Sequence, residues 1–180
     1  ETGAKILGDV DTAAASVFGK TPKSAWSALE RSPKGYSIRL DRFVEDGGSI
    51  EVYGSIRTSA GAHAGEFGST FSREGGKLIA KTDNLLMAEG HQGKGIGATV
   101  ARNMDETYAR LGVEEVRLHA SDVGRYTWAK AGYEWSPETG QEMAAAYERW
   151  LAKGGHDVSE ASAALSGPRA LAESTHGKAF

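Results

Sequence analysis

Between residues 36 and 87 apolar and polar side chains alternate, and beyond a cluster of glycines the apolar spacing changes to threes and fours. That switch of period restricts the fold more than any other feature. A period of two belongs to half-buried strands, and a period near 3.6 to an amphipathic helix. Tyr36, Ile38 and Leu40 alternate with Ser37, Arg39 and Asp41, and Ile50, Val52, Gly54 and Ile56 alternate with Glu51, Tyr53 and Ser55. Glu45-Asp46-Gly47-Gly48 joins the two runs with residues that tolerate positive φ, a hairpin composition. Phe67, Ser69 and Phe71 keep the period, and Glu74-Gly75-Gly76 turns the chain into a further strand over residues 78–87. Four strands on tight turns predict an antiparallel meander.

The second half of the pattern predicts an α/β unit. Leu85-Leu86-Met87 runs into Glu89-Gly90-His91-Gln92-Gly93-Lys94-Gly95-Ile96-Gly97, and Val100, Ala101, Met104, Tyr108 and Leu111 then share one helix face that Gly112 stops. Val116, Leu118 and Ala120 alternate with Arg117 and His119 as a strand, and residues 123–131 read as a second helix closed by Gly132. On the N-terminal side, Thr21-Pro22 is a good helix start, with Ala25, Trp26 and Leu29 as the apolar side. On the C-terminal side, Ser136-Pro137-Glu138 opens a helix carrying Met143, Tyr147, Trp150 and Leu151 on one face, and Gly154-Gly155 closes it. That stripe has to be covered, and we expect it to dock on the preceding domain. The last dozen residues are expected to be poorly ordered, and residues 1–5 show no leader pattern and are assigned no element. The expected organisation is an N-terminal helical segment over residues 1–35, a core over 36–135 and a helical extension over 136–180.

Composition removes several classes of function. With 21 Lys+Arg against 24 Asp+Glu the net charge is −3, which argues against a protein built to grip nucleic acid phosphates. The absence of cysteine excludes a disulfide scaffold, a thiolate zinc site and a cysteine nucleophile. His63, His91, His119, His156 and His176 show no ligand spacing, so no metal is expected. No stretch approaches the roughly 20 apolar residues of a membrane span. No Gly-x-Ser-x-Gly elbow is present, so serine hydrolysis is not expected. The compartment expected is the cytoplasm.

Three glycines at alternate positions, Gly93, Gly95 and Gly97, let a backbone curl with its amides inward just where a helix begins. Amides and helix dipole together make an anion cradle, typically for phosphate, although such a loop also serves as a plain strand-to-helix turn. The dipole contributes about 0.3–1 kcal/mol, so the amide hydrogen bonds would carry most of the binding. A nucleoside-triphosphate loop needs a Lys-Ser/Thr after its last glycine, and Gly95 is followed by Ile96. A dinucleotide fold puts its glycines after the first strand of a parallel sheet, not after a meander at mid-chain.

Residues 85–135 resemble the GNAT superfamily of acyl-CoA-dependent N-acetyltransferases. The resemblance lies in Leu85-Leu86-Met87, the Gln92-Gly93-Lys94-Gly95-Ile96-Gly97 loop at a helix start, the strand from Val116 to Ala120, and the Trp128-Ala129-Lys130-Ala131-Gly132-Tyr133 ending. It implies an α/β fold, a GNAT-like mixed sheet with an antiparallel meander, the glycine loop at a helix start, and added helices at both ends. It further implies acetyl-CoA as co-substrate, with the pyrophosphate on the amides of Gln92, Gly93, Lys94, Gly95, Ile96, Gly97 and Ala98 and the pantetheine arm beside Leu86 and Met87. The acceptor implied is an amine of a small molecule or protein.

The departures from the family lie in the acceptor half. The position of the family's acidic tyrosine is Trp128, whose indole donates a hydrogen bond and supplies no proton. Tyr126 is two residues away, and Ser121 replaces the common asparagine. The two helices that family members place between their first strands are absent from the hairpin of residues 36–56, or are supplied by the segment before Glu30. Asp83 is the expected base by analogy, ahead of Glu51 and Glu66, with solvated strand positions as the plain alternative for all three. The expected activity is N-acetyl transfer from acetyl-CoA to an amine. The alternative is a weak or inert GNAT-like module serving as an interaction domain of a larger polypeptide.

Overall fold

In the computed structural model, which describes residues 5–7, 10–19, 23–118, 128–129, 132–177 and 179–180, the alternating segment forms four long strands. They are β2 (Tyr36–Asp46), β3 (Ser49–Thr58), β4 (His63–Glu74) and β5 (Lys77–Met87), antiparallel throughout. Gly47 and Gly48, like Gly75 and Gly76, both have positive φ, the conformation whose twist matches that of the strands they join. Two short strands complete a six-stranded sheet in sequence order: β1 (Lys5–Leu7), parallel to β2, and β6 (Glu115–Leu118), parallel to β5. The chain folds as two compact units, Glu1–His119 and Ala120–Phe180.

Strand β1 falls in a stretch to which the sequence assigns no element. Between it and β2 lie α1 (Val10–Phe18) and α2 (Lys23–Leu29), so the two helices missing from the hairpin come from the segment before Glu30. Their apolar sides and that of α3 (Ile96–Leu111) join one face of the sheet in a single core. Trp26 is its hub, edge-on to Phe18, Phe43 and Phe71 with ring centroids 5.8, 5.2 and 5.8 Å away. Gly54 makes room in that core. A Cβ there would stand 2.2 Å from Phe67 Cζ, so the bare backbone lets the ring lie across β3.

Buried polar groups in this unit serve backbone that would otherwise be orphaned. Asn103 Nδ2 of α3 donates to Arg31 O at 2.7 Å and Leu29 O at 3.4 Å, while Thr107 Oγ1 lies 2.7 Å from Asn103 O of its own helix and 3.2 Å from Ala25 O of α2. Leu29 O and Arg31 O belong to the last residue of α2 and the chain leaving it, which no intrahelical N–H can reach, whereas Ala25 still has Leu29 one turn ahead of it in the helix. Among the described residues β1 pairs with Arg42, Phe43 and Val44, and side chains serve two further N–H groups of β2. Ile38 N donates to Ser32 Oγ at 2.8 Å and Leu40 N to Glu30 Oε1 at 3.0 Å.

The second unit has a core of its own. Helix α4 (Pro137–Gly154) starts at Ser136, whose hydroxyl accepts from Thr139 N, and ends at Gly155 in the left-handed region. A 3₁₀ turn over Val158–Ala161, α5 (Ser162–Leu165) and α6 (Pro168–Glu173) follow. Tyr147 and Leu151 are fully buried against Ala164 and Leu171, with Met143, Trp150, Trp135 and Phe180 packed around them. The cover for the α4 stripe thus includes the residues after it, and the segment expected to be poorly ordered contributes Leu171 and Phe180 to this core.

Candidate functional site

The site begins where β5 changes register. Ser69 pairs with Thr82 and Gly68 with Asn84, so Asp83 is an extra residue, a β-bulge. The described ladder between β5 and β6 runs from Ile79 to Thr82 and ends there. Among the described residues, Asn84 to Met87 therefore pair with β4 on one side and with nothing on the other, and Leu86 is 57% exposed. Two features hold the bulge. Gly68 has no side chain to block Asn84, whose Oδ1 would stand 2.7 Å from a Cβ there. From below, Tyr108 OH of α3 meets Ser69 Oγ at 2.6 Å and Thr82 Oγ1 at 3.1 Å, the pair flanking the bulge. Burial pushes this phenol up to about 12, outweighing the hydrogen bonds from Ser69 and Thr82.

On the polar face Asp83 accepts a hydrogen bond from Thr70 Oγ1 at 2.6 Å and lies 3.5 Å from Lys81 Nζ. Beside it, Asn84 Nδ2 donates to Glu66 Oε1 at 3.4 Å, while the buried Asn84 Oδ1 has no partner among the described residues. Glu51 accepts from Tyr53 OH at 2.7 Å, and that bond is the main cause holding the Tyr53 phenol above its ordinary range. Of the three carboxylates, Asp83 alone stands at the bulge.

Beyond Met87 the chain crosses to α3 through the glycine loop. Ala88 N donates to Ala64 O at 2.9 Å, His91 N to Ala88 O at 3.0 Å and Gln92 Nε2 to Met87 O at 3.1 Å, fixing the base of the loop on β4 and β5. Gly93 and Gly95 have φ of 71° and 75°, a region costly to other residues, and a Cβ at either would meet nothing within 4 Å. Gly95 is the N-cap of α3; no side chain caps that end and no acidic residue occupies the first turn. Ile96 is buried and anchors the helix start in the core, whereas Gln92, Lys94 and Ala98 are exposed. A Cβ on Gly97 would lie 3.6 Å from Met87 Cγ, so the strand end and the helix start are neighbours. Open space, curled glycines and an uncapped helix start together suit an anion.

The structure thus brings Leu86, Met87 and residues 92–98 together, with Asp83 a few residues upstream on the same strand. Tyr126 lies outside the described residues. Trp128 is buried and packs edge-on against Tyr133, with ring centroids 5.2 Å apart. Among the described residues no group of three or more His, Asp or Glu is placed to hold a metal ion. None of the described helices is long and apolar enough to cross a membrane. In the sequence Tyr36 reads only as a strand residue, and Thr70 and Asn84 belong to no motif. Their partners stand across strands or 55 residues away, where no spacing rule reaches.

A mixed α/β sheet whose meander feeds a glycine loop, a helix and a parallel strand is a GNAT-like fold, the class that the sequence motifs resemble. Solved structures similar to this chain include a Trypanosoma brucei acetyltransferase, 17% identical, over 48% of this chain and 63% of that one, with a TM-score of 0.44. Glucosamine-6-phosphate N-acetyltransferase from Arabidopsis thaliana is 16% identical over 48% of this chain and 61% of its own, TM-score 0.44. Ribosomal-protein-alanine N-acetyltransferase from Brucella melitensis is 19% identical over 48% and 67%, TM-score 0.42. This chain therefore spans less than two thirds of the length of the first two. No protein-family model matches the sequence, and no curated protein does either.

Proposed function

We propose that this protein is an acyl-CoA-dependent N-acetyltransferase of the GNAT type, with an amine as acceptor. The observation that carries the reading is the uncapped start of α3 behind the curled glycines, set next to the bulge of β5. In this reading the amides of Gln92 to Ala98 bind the pyrophosphate of acetyl-CoA, and β5 at Leu86 and Met87 pairs with the pantetheine arm. Acetyl-CoA supplies the thioester. Asp83, at the bulge, takes the proton that the amine gives up as its nitrogen attacks the thioester carbonyl. A lysine-like ammonium has a pKa near 10.4, so a base beside the reacting centre is needed. Trp128 offers no proton, so the departing thiolate takes its proton from solvent.

The test is thermal melting with millimolar CoA, which should raise the wild-type midpoint by linkage. Gly95→Val forces a β-branched residue to positive φ and should abolish the shift while melting stays cooperative. In an assay of thiol release over a panel of primary amines, Asp83→Asn should lower turnover by about 10²-fold or more. A wild-type melting curve that CoA leaves unmoved would overturn the reading, and unchanged turnover in Asp83→Asn would overturn the base.

A further inference from the structure

An anion cradle works best when its shape exists before the anion arrives, and glycine is the residue least able to ensure that by itself. Gly90, Gly93 and Gly95 all stand at positive φ within one short loop, so this loop has much freedom to lose. Its base is tied to β4 and β5 through Ala88 and Gln92. The remaining tie comes from another part of the sheet. Tyr36, the first residue of β2, meets His91 with OH and Nδ1 3.1 Å apart, and the two rings pack edge-on at 87° with centroids 5.7 Å apart.

Resting on the acetyl-CoA reading above, we propose that Tyr36 and His91 are a positioning pair that holds the anion loop in its binding shape. The strand end that carries Tyr36 is itself fixed. Tyr36 pairs with Thr58, its N–H donates to Pro33 O at 3.1 Å, and its ring packs against the core. His91 immediately precedes Gln92, where the cradle begins, so fixing its ring fixes the direction in which the following amides point. The sheet does not depend on the pair, because backbone hydrogen bonds set the register of β2. Neither residue belongs to the cradle itself. The pair acts through the loop, by lowering the order that a ligand has to impose.

The test measures CoA binding by calorimetry, with pantetheine, which has the arm and no pyrophosphate, followed by ligand-observed NMR. Tyr36→Phe keeps the ring contact and removes the hydroxyl, and should weaken CoA about 3–10-fold. His91→Ala removes both and should weaken it about tenfold or more, whereas His91→Asn, which keeps an acceptor near the Nδ1 position, should recover most of the affinity. Pantetheine should bind wild type and Tyr36→Phe alike, a selectivity that general damage to the fold would not give. Wild-type CoA binding with undiminished affinity in Tyr36→Phe and His91→Ala would overturn this inference alone, as would equal losses of CoA and pantetheine. A wild type that binds no CoA would remove the acetyl-CoA reading and the pairing with it.

Discussion

Tyr108 shows how one residue can serve core and site together. Its ring packs 5.6 Å from Phe71 in the core, and its hydroxyl holds the two residues flanking the bulge. Burial favours the neutral phenol, so the folded pKa rises from 10.0 to about 12. The sign follows from linkage. The contribution to stability is complete below the unfolded value near 10, and is lost as pH rises toward the folded value. Urea midpoints should therefore fall between pH 10 and pH 12 more steeply for wild type than for Tyr108→Phe. At neutral pH the same variant should be destabilised by about 1–3 kcal/mol, since Ser69 and Thr82 lose a buried partner. The spacing of Val100, Ala101, Met104, Tyr108 and Leu111 marks this tyrosine as a core residue. It does not reveal the hydroxyl's partners, which lie 39 and 26 residues away and meet it only through the strand register.

Helix α3 is the element on which the molecule turns. Its first residues form the candidate cradle, Tyr108 in its last turn holds the bulge, and Asn103 closes the open end of α2. Asn103→Ala should cost about 1–3 kcal/mol in urea denaturation, because Arg31 O and Leu29 O lose their donor. On the exposed face of the same helix, Arg102→Ala should stay within about 0.5 kcal/mol. The helix and the four long strands were legible because each repeats its pattern over several turns or pairs. Strand β1 was not, since three residues show no alternation. Nor was the bulge at Asp83, because a residue inserted in the ladder leaves no mark on composition. The loop reads from sequence as a turn or as a cradle, and the uncapped start of α3 behind it lies beyond what the spacing of its glycines reveals.

At the scale of the molecule, two units each bury their own aromatic core, one around Trp26 and Phe71 and the other around Tyr147. The first contains the sheet, the bulge and the glycine loop, so the account of acyl-CoA binding rests on residues 36–118. The tail's apolar stripe was legible from its helical spacing; its cover by Ala164, Leu171 and Phe180 was not, because short helices carry little periodic signal. In the function proposed above, the pyrophosphate of acetyl-CoA sits at the start of α3. Titration of ¹⁵N-labelled protein with CoA, read as amide shifts in two-dimensional NMR spectra, tests it most directly. The largest shifts should fall on residues 92–98, with a second group on Leu86 and Met87, and Gly95→Val should remove both. Saturating CoA that leaves those amides unmoved, or that shifts another surface instead, would contradict the account.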